Sequence, residues 1–170
     1  TGVQSCALPI SIQEDTKRKR IDLAALLQEA ADARAAGAQE KAIDLVVEVD
    51  ASVGTIKGDR KRILQAVDQL LLNAITYTET GGRVLLHGSG TTELATLVVS
   101  DNGPGMDDAE QARALDRFSR VGAGIGREGD GSLGIGLPLA RQFVEGHGGT
   151  LSLLSQVGEG TVVTIELPRG

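Results

Sequence analysis

The stretch QLLLNAITYTETGG, Gln69 to Gly82, sets one asparagine inside an apolar run and then breaks into a glycine turn. With Asp59 as an N-cap, the pattern predicts a helix from about Arg60 to Thr78. At ~100° per residue, Ile63, Leu64, Ala66, Val67, Leu70, Leu71, Ala74 and Ile75 fall in one continuous apolar arc. Asn73 falls just outside the edge of that arc, on a rim shared with Gln69 and Tyr77. A polar row bordering a buried face is where a helix can contribute to a pocket wall. Taken alone, an asparagine there better suits a cap on a neighbouring loop.

Elements alternate on both sides of this helix. Upstream, KRKRIDLAALLQEAADAR, beginning at Lys17, reads as a short extended lead-in and then a helix capped by Asp22, with Leu23, Leu26, Leu27, Ala30 and Ala31 inward. Its basic run reads as a solvated linker. AIDLVVEVD, from Ala42, alternates as a strand does, and VGTIKGD, from Val53, reads as a turn. Downstream, GGRVLLHGSG and ELATLVVSD form a hairpin that ends in DNGPGM, Asp101 to Met106. EQARALDRFSRV, from Glu110, reads as a short helix inside a long glycine-rich segment. LGIGLPLARQFVEGHGG, from Leu133, reads as a glycine turn and then a helix with Leu137, Ala140, Phe143 and Val144 inward and Pro138 in its first turn. TLSLLSQVGEGTVVTIELP, from Thr150, is a second hairpin turning at GEG. The expected fold class is α+β: a two-layer α/β sandwich with a mixed, mostly antiparallel sheet and all helices on one face.

Composition bounds what such a domain can do. The chain has 170 residues, enough for one domain, expected over 17–170 with 1–16 as a lead-in. Its first ten residues, TGVQSCALPI, resemble the conceptual translation of a sequencing adaptor and are set aside from fold reasoning. Lys and Arg number 17 against 23 Asp and Glu, a net charge of −6, which argues against a broad grip on nucleic acid or anionic lipid. Any anion must therefore be held locally. No apolar run approaches the ~20 residues of a membrane span, and the single Cys6 excludes an internal disulfide, so a reducing, cytoplasmic setting is expected.

Two further stretches suggest how an anion and a flat ring could be held. Asp101, at the end of an apolar strand, can accept a hydrogen bond from an exocyclic amine such as that of adenine, while Gly103 and Gly105 remove Cβ obstruction near a ring. Taken alone, the sequence DNGPG reads first as a turn. GDGSLGIGLPLA places Gly131, Gly134 and Gly136 before a helix, whose first amides and dipole can hold phosphate without a lysine. It is not a Walker A loop, since no Gly-Lys-Ser/Thr is present. No parallel βαβ unit surrounds it either, so it is a poor dinucleotide fingerprint.

In this order and with these gaps, the motifs from about Lys17 to Pro168 resemble the catalytic and ATP-binding domain of sensor histidine kinases. That family sits within the superfamily that includes gyrase, MutL and the heat-shock ATPase chaperones, whose architecture is the Bergerat fold. The resemblance makes QLLLNAITYT the N box, with Asn73 as magnesium ligand and Tyr77 beside the nucleotide. DNGPGM is similar to the first glycine box, which implies adenine contacts from Asp101, Gly103, Gly105 and Met106. LDRFSR resembles the phenylalanine box, where Phe118 would anchor an ATP lid spanning about 104–133 and Arg120 would approach the terminal phosphate. GSLGIGL resembles the second glycine box and implies phosphate contacts from Gly131, Gly134, Ile135, Gly136 and Leu137. GEGT resembles the closing motif, with Thr161 at the nucleotide.

The resemblance implies an ATP- and Mg²⁺-dependent phosphotransferase. It would pass the γ-phosphoryl group to a histidine on a dimerisation domain, expected to be absent from this chain, and thence to a response regulator receiver domain. Neither nucleic acid nor direct membrane contact is implied. His87 and His147 read as structural. Gln69 stands where hydrolytic relatives carry a general-base glutamate and cannot take up a proton usefully near neutral pH. Thr76 replaces a common lysine. The alternatives are a non-catalytic ATP-binding or docking module, and an ATPase or serine kinase of the same superfamily.

Overall fold

The computed structural model describes residues 18–115 and 131–169, and over 18, 113–115 and 131–138 the backbone course alone. Phe118, Arg120 and residues 116–130 of the expected ATP lid lie outside the described residues.

The elements begin with a ribbon. Strand β1, Arg18–Asp22, pairs antiparallel with β3, Thr55–Asp59, so that Ile21 faces Ile56 and both are buried. Each strand runs straight into a helix. Asp22 closes β1 and caps α1, Leu23–Glu40, by accepting from the Ala25 amide at 3.3 Å. Asp59 closes β3 and caps α2, Arg60–Tyr77, by accepting from the Lys61 and Arg62 amides. The ribbon therefore fixes the starts of both helices side by side. VGTIKGD is thus a strand and not a turn, preceded by a 3-10 turn at Ala51–Val53. What holds Thr55–Asp59 extended is β1, more than thirty residues upstream, and a local pattern carries no trace of it. The basic run is likewise a paired strand and not a linker, although Lys19 and Arg20 are exposed as expected.

The main sheet has the order β2-β4-β5-β7-β6. Its strands are β2 (Asp44–Val49), β4 (Arg83–Gly90), β5 (Leu94–Asp101), β6 (Thr150–Gln156) and β7 (Gly160–Pro168). Only β2 and β4 run parallel, so the sheet is mixed and mostly antiparallel. Alternate residues of the central strands are buried: Val84 and Leu86, Ala95, Leu97 and Val99, Val163, Ile165 and Leu167. On this face lie α1, α2 and α4, Gly131–Gly146, with a short α3, Asp108–Leu115, beside α4. Glycine at 88 leaves the space that Leu27 of α1 fills above the sheet. Arg34 of α1 forks onto Asp68 of α2 at 2.6 and 2.7 Å. Among the described residues no helix is long and apolar enough to cross a membrane.

Helix α4 begins at Gly131, so Gly131, Gly134, Ile135, Gly136 and Leu137 lie within it and not in a turn before it. Pro138 is consequently well inside the helix. A proline there keeps helical φ and removes one amide, which leaves the carbonyl four residues earlier without its helical partner. At the far end of α4, His147 has its ring locked: Nε2 accepts from the Asp59 amide at 2.9 Å and Nδ1 donates to the Phe143 carbonyl at 2.8 Å. Both nitrogens serve the fold, and Gly58 has no Cβ because the imidazole occupies that space.

Arg169 pins the C-terminal strand to the loop before β3. Its guanidinium donates to the carbonyls of Ser52, Val53, Thr55 and Thr91, with Nη2–Ser52 at 2.8 Å and Nε–Thr91 at 3.0 Å. These charge-assisted bonds join three segments far apart in sequence. Arg169→Ala is expected to lower the unfolding free energy by about 2 kcal/mol in urea denaturation. Arg169→Lys should recover only part of it, because one ammonium cannot span a planar fork.

Candidate functional site

Strand periodicity builds the site. Counting along β5 by two from Ala95, Leu97 and Val99 brings Asp101 onto the same helix-facing side. The same count carries Val163 back to Thr161 on β7 and Leu151 and Leu153 on to Ser155 on β6. In the sheet's register these three are direct neighbours, Ser155 opposite Thr161 and Thr161 opposite Asp101. An apolar inner face thus ends in one polar row, Asp101–Thr161–Ser155.

That row is tied into the glycine loop beside it. Ser155 Oγ lies 2.8 Å from Thr161 Oγ1, 3.0 Å from the Gly160 carbonyl and 2.7 Å from the Met106 amide, which donates to it. Gln111 of α3 donates to the carbonyls of both Met106 and Ser155. The Gly158 amide in the β6–β7 turn donates to the Pro104 carbonyl at 2.7 Å. DNGPGM and GEGT, more than fifty residues apart, are therefore one corner. Sequence reasoning missed Ser155 and Gln111; the alternation Leu151, Leu153, Ser155 is the signal that could have singled out the serine.

The glycines of this corner are required by the fold itself. At Gly105, φ is +75° and a Cβ would strike the Gln156 carbonyl, while a Cβ on Gly160 would strike the Asp101 carbonyl. At Gly103 a Cβ would lie 3.0 Å from Asp101 Oδ1 and 3.1 Å from the Tyr77 carbonyl. Close approach of protein to protein requires them, and it seats the end of α2 against this corner.

Asn73 lies deeper than its neighbours on the polar rim. It is 5% exposed, and both Oδ1 and Nδ2 are buried without a hydrogen-bond partner. An unpaired buried amide costs about 1–3 kcal/mol per group, so Asn73 has hydrogen-bonding capacity that a ligand could meet. Its carbonyl oxygen suits Mg²⁺, which keeps several waters and substrate oxygens and needs few protein ligands. Among the described residues no group of three His, Cys, Asp or Glu could form a cage of its own. Tyr77 and Gln69 are half-buried beside it. Thr76 is exposed and bonds its hydroxyl back to the Leu72 carbonyl at 2.7 Å, so it offers no substitute for a cation.

Residues 58–170 match the family described as histidine kinase-, DNA gyrase B- and HSP90-like ATPase. The chain belongs to that family. Among curated relatives, it is 40% identical over 132 residues to the sensor protein DivL of Caulobacter vibrioides, covering 78% of this chain and 16% of that protein. It is 36% identical over 137 residues to the circadian input-output histidine kinase CikA of Synechococcus elongatus, covering 77% and 18%. The chain thus spans less than a fifth of either relative. Among solved structures, the catalytic domain of the histidine kinase ThkA shares the fold, with a TM-score of 0.77 at 23% identity over 89% of this chain and 95% of that one. Full-length ShkA in complex with AMPPNP gives a TM-score of 0.76 at 27% identity, covering 89% and 31%. The two-layer α+β architecture expected from the sequence is that of this family.

Burial pushes the Asp101 carboxyl above the ordinary carboxylate range, and the amides of Gly103, at 2.9 Å, and Thr161 partly offset it. Because folding raises this pKa, the charge at Asp101 costs stability: the contribution is favourable below the unfolded value and is lost as pH rises through the folded one. Asp101→Asn keeps an oxygen for the Gly103 amide and removes the charge. Urea denaturation of the nucleotide-free chain should show the variant at least as stable as wild type at pH 7. The gap should close as pH falls below the ordinary carboxylate value of ~4. A variant clearly weaker at pH 7 contradicts this account.

Proposed function

We propose that the chain is the ATP-binding catalytic domain of a sensor histidine kinase. It transfers the γ-phosphoryl group of ATP to a histidine nitrogen on a dimerisation domain, from which a response regulator receives it. The observation that carries this is the half-buried polar row ending in Asp101, standing beside a helix whose Asn73 has unmet hydrogen-bonding capacity. Asp101, held by the Gly103 amide, accepts from the adenine amino group. Asn73 offers its carbonyl to Mg²⁺ and its amide protons to phosphate oxygens; the ion supplies charge neutralisation on the phosphates when bound. The first amides of α4, from Gly131, together with its dipole, suit the phosphate chain. Gly136, deeper in the helix, has its amide used by the helix itself. Met106 and Thr161 fix the adenine corner through Ser155. Tyr77 lines the wall between base and metal. Phe118 and Arg120 keep the roles that the family motif implies for them, on the lid and at the terminal phosphate.

Gln69 has no basicity with which to activate water, which favours transfer to an imidazole over hydrolysis. Thr76 brings no positive charge to the phosphates. A docking module that binds ATP without transferring it is the outcome to set against the kinase.

Calorimetry with ATP and MgCl₂ is expected to show binding by the intact chain. Asp101→Ala should weaken it about 10- to 100-fold, the worth of a charge-assisted hydrogen bond. Chelating Mg²⁺ should weaken wild type strongly and Asn73→Ala little further. Mixed with a dimerisation domain carrying an acceptor histidine, the chain should yield acid-labile phosphate. ATP binding without that product identifies the docking module, and a folded chain that binds no ATP ends both readings.

A further inference from the structure

Among the described residues, the buried side-chain nitrogen and oxygen atoms without a partner are Asn73 Oδ1, Asn73 Nδ2 and Thr78 Oγ1. All three lie at the C-terminal end of α2, and the proposed function uses only those of Asn73. Thr78 is 1% exposed and is the C-cap of α2, its amide bonded to the Ala74 carbonyl at 3.0 Å. A threonine at a helix end ordinarily turns its hydroxyl back to a carbonyl or out to water, and Thr76, two residues earlier, does the former. Thr78 does neither.

Its backbone and methyl contacts show which corner Thr78 occupies. The side of Gly103 where a Cβ would stand is bounded by Asp101 Oδ1 at 3.0 Å, the Tyr77 carbonyl at 3.1 Å and Thr78 Cα at 3.3 Å. Thr78 and Asp101 therefore share one corner. The methyl of Thr78 is turned toward Gly82, whose missing Cβ leaves it room, so the hydroxyl occupies a different direction from Cβ. Thr161, the other hydroxyl of the corner, is already engaged with Ser155.

We propose that the Thr78 hydroxyl is a second base-recognition group, which donates to the ring nitrogen N1 of the adenine held by Asp101, directly or through one water. The inference rests on the nucleotide-binding function above and adds a specificity residue to it. A carboxylate can only accept, so it selects the amino group of adenine. A hydroxyl beside it completes the pair by donating to N1. Guanine presents the reverse pattern, a carbonyl where adenine has its amine and an N–H where adenine has a lone pair. Asp101 and Thr78 together would thus read a donor–acceptor pair that guanine cannot supply, and a site built to hydrogen-bond a group rejects the analogue lacking it.

The test uses the full chain and calorimetry with three probes: ATP, GTP and 1-deaza-ATP, in which a C–H replaces N1. Wild type should bind ATP about 3- to 10-fold more tightly than 1-deaza-ATP, the worth of one neutral hydrogen bond. Thr78→Val should lose that margin for ATP, bind ATP and 1-deaza-ATP equally, and discriminate less against GTP; Thr78→Ser should restore it. The nucleotide-free valine variant should melt no lower than wild type, because it replaces an unpaired buried hydroxyl with a methyl. Equal ATP affinity in wild type and Thr78→Val overturns the proposal, as does an equal loss for both nucleotides. Should the valine variant fail to fold, the wild-type comparison of ATP with 1-deaza-ATP decides. Wild type that binds no ATP removes the underlying function; wild type that binds ATP and 1-deaza-ATP alike removes only the role of Thr78.

Discussion

The register of β5 against β7 is the constraint on which the rest of the molecule depends. It sets Asp101 opposite Thr161 and, through β6, Thr161 opposite Ser155. Because side chains alternate strictly along a strand, a slip of one residue would send Asp101 to the outer face and bring Ser100 inward. The apolar residues on the same strands, Leu97, Val99, Val163 and Ile165, oppose any such slip because it would expose them as well. Core packing and site geometry are therefore held by the same hydrogen bonds.

The electrostatic cost is concentrated at the candidate site. Asp101 is half-buried with its carboxyl held above its ordinary range, and the unpartnered buried atoms cluster on α2 beside it. Away from that corner several larger polar side chains are paired: Arg169 to four carbonyls, His147 through both ring nitrogens, Arg34 to Asp68. A fold with spare stability in its helix caps and clasps can carry a few unsatisfied groups at one end of one helix. A ligand that satisfies those groups then gains binding energy that the empty fold had forgone.

Helices α1 and α2 are legible almost residue by residue, since Asp22 and Asp59 are local caps and the inward leucines recur at helical spacing. The two hairpins are legible for the same reason, from alternation and glycine turns. Strand β3 is not, because Thr55–Asp59 is extended only by pairing with β1. The start of α4 differs from expectation because Pro138 suggests a first turn, as in most helices, whereas this helix tolerates proline farther along. Gly103 and Gly105 also lack a Cβ because protein crowds them, the end of α2 at Gly103 and the β6–β7 turn at Gly105, and both neighbours arrive only in the folded chain.

The sequence by itself determined which residues could bind: an asparagine on a long amphipathic helix, an aspartate closing an apolar strand, and the glycines around them. Those depend on local periodicity and residue chemistry, which are properties of a linear chain. Only the tertiary structure decided that Asn73 is buried with both amide atoms unmet, that Ser155 and Thr161 continue the row from Asp101, and that Thr78, at the same end of α2, is buried with its hydroxyl unmet. Hydrogen-bond satisfaction and burial depend on what arrives from far along the chain, so no stretch of sequence, read alone, contains them.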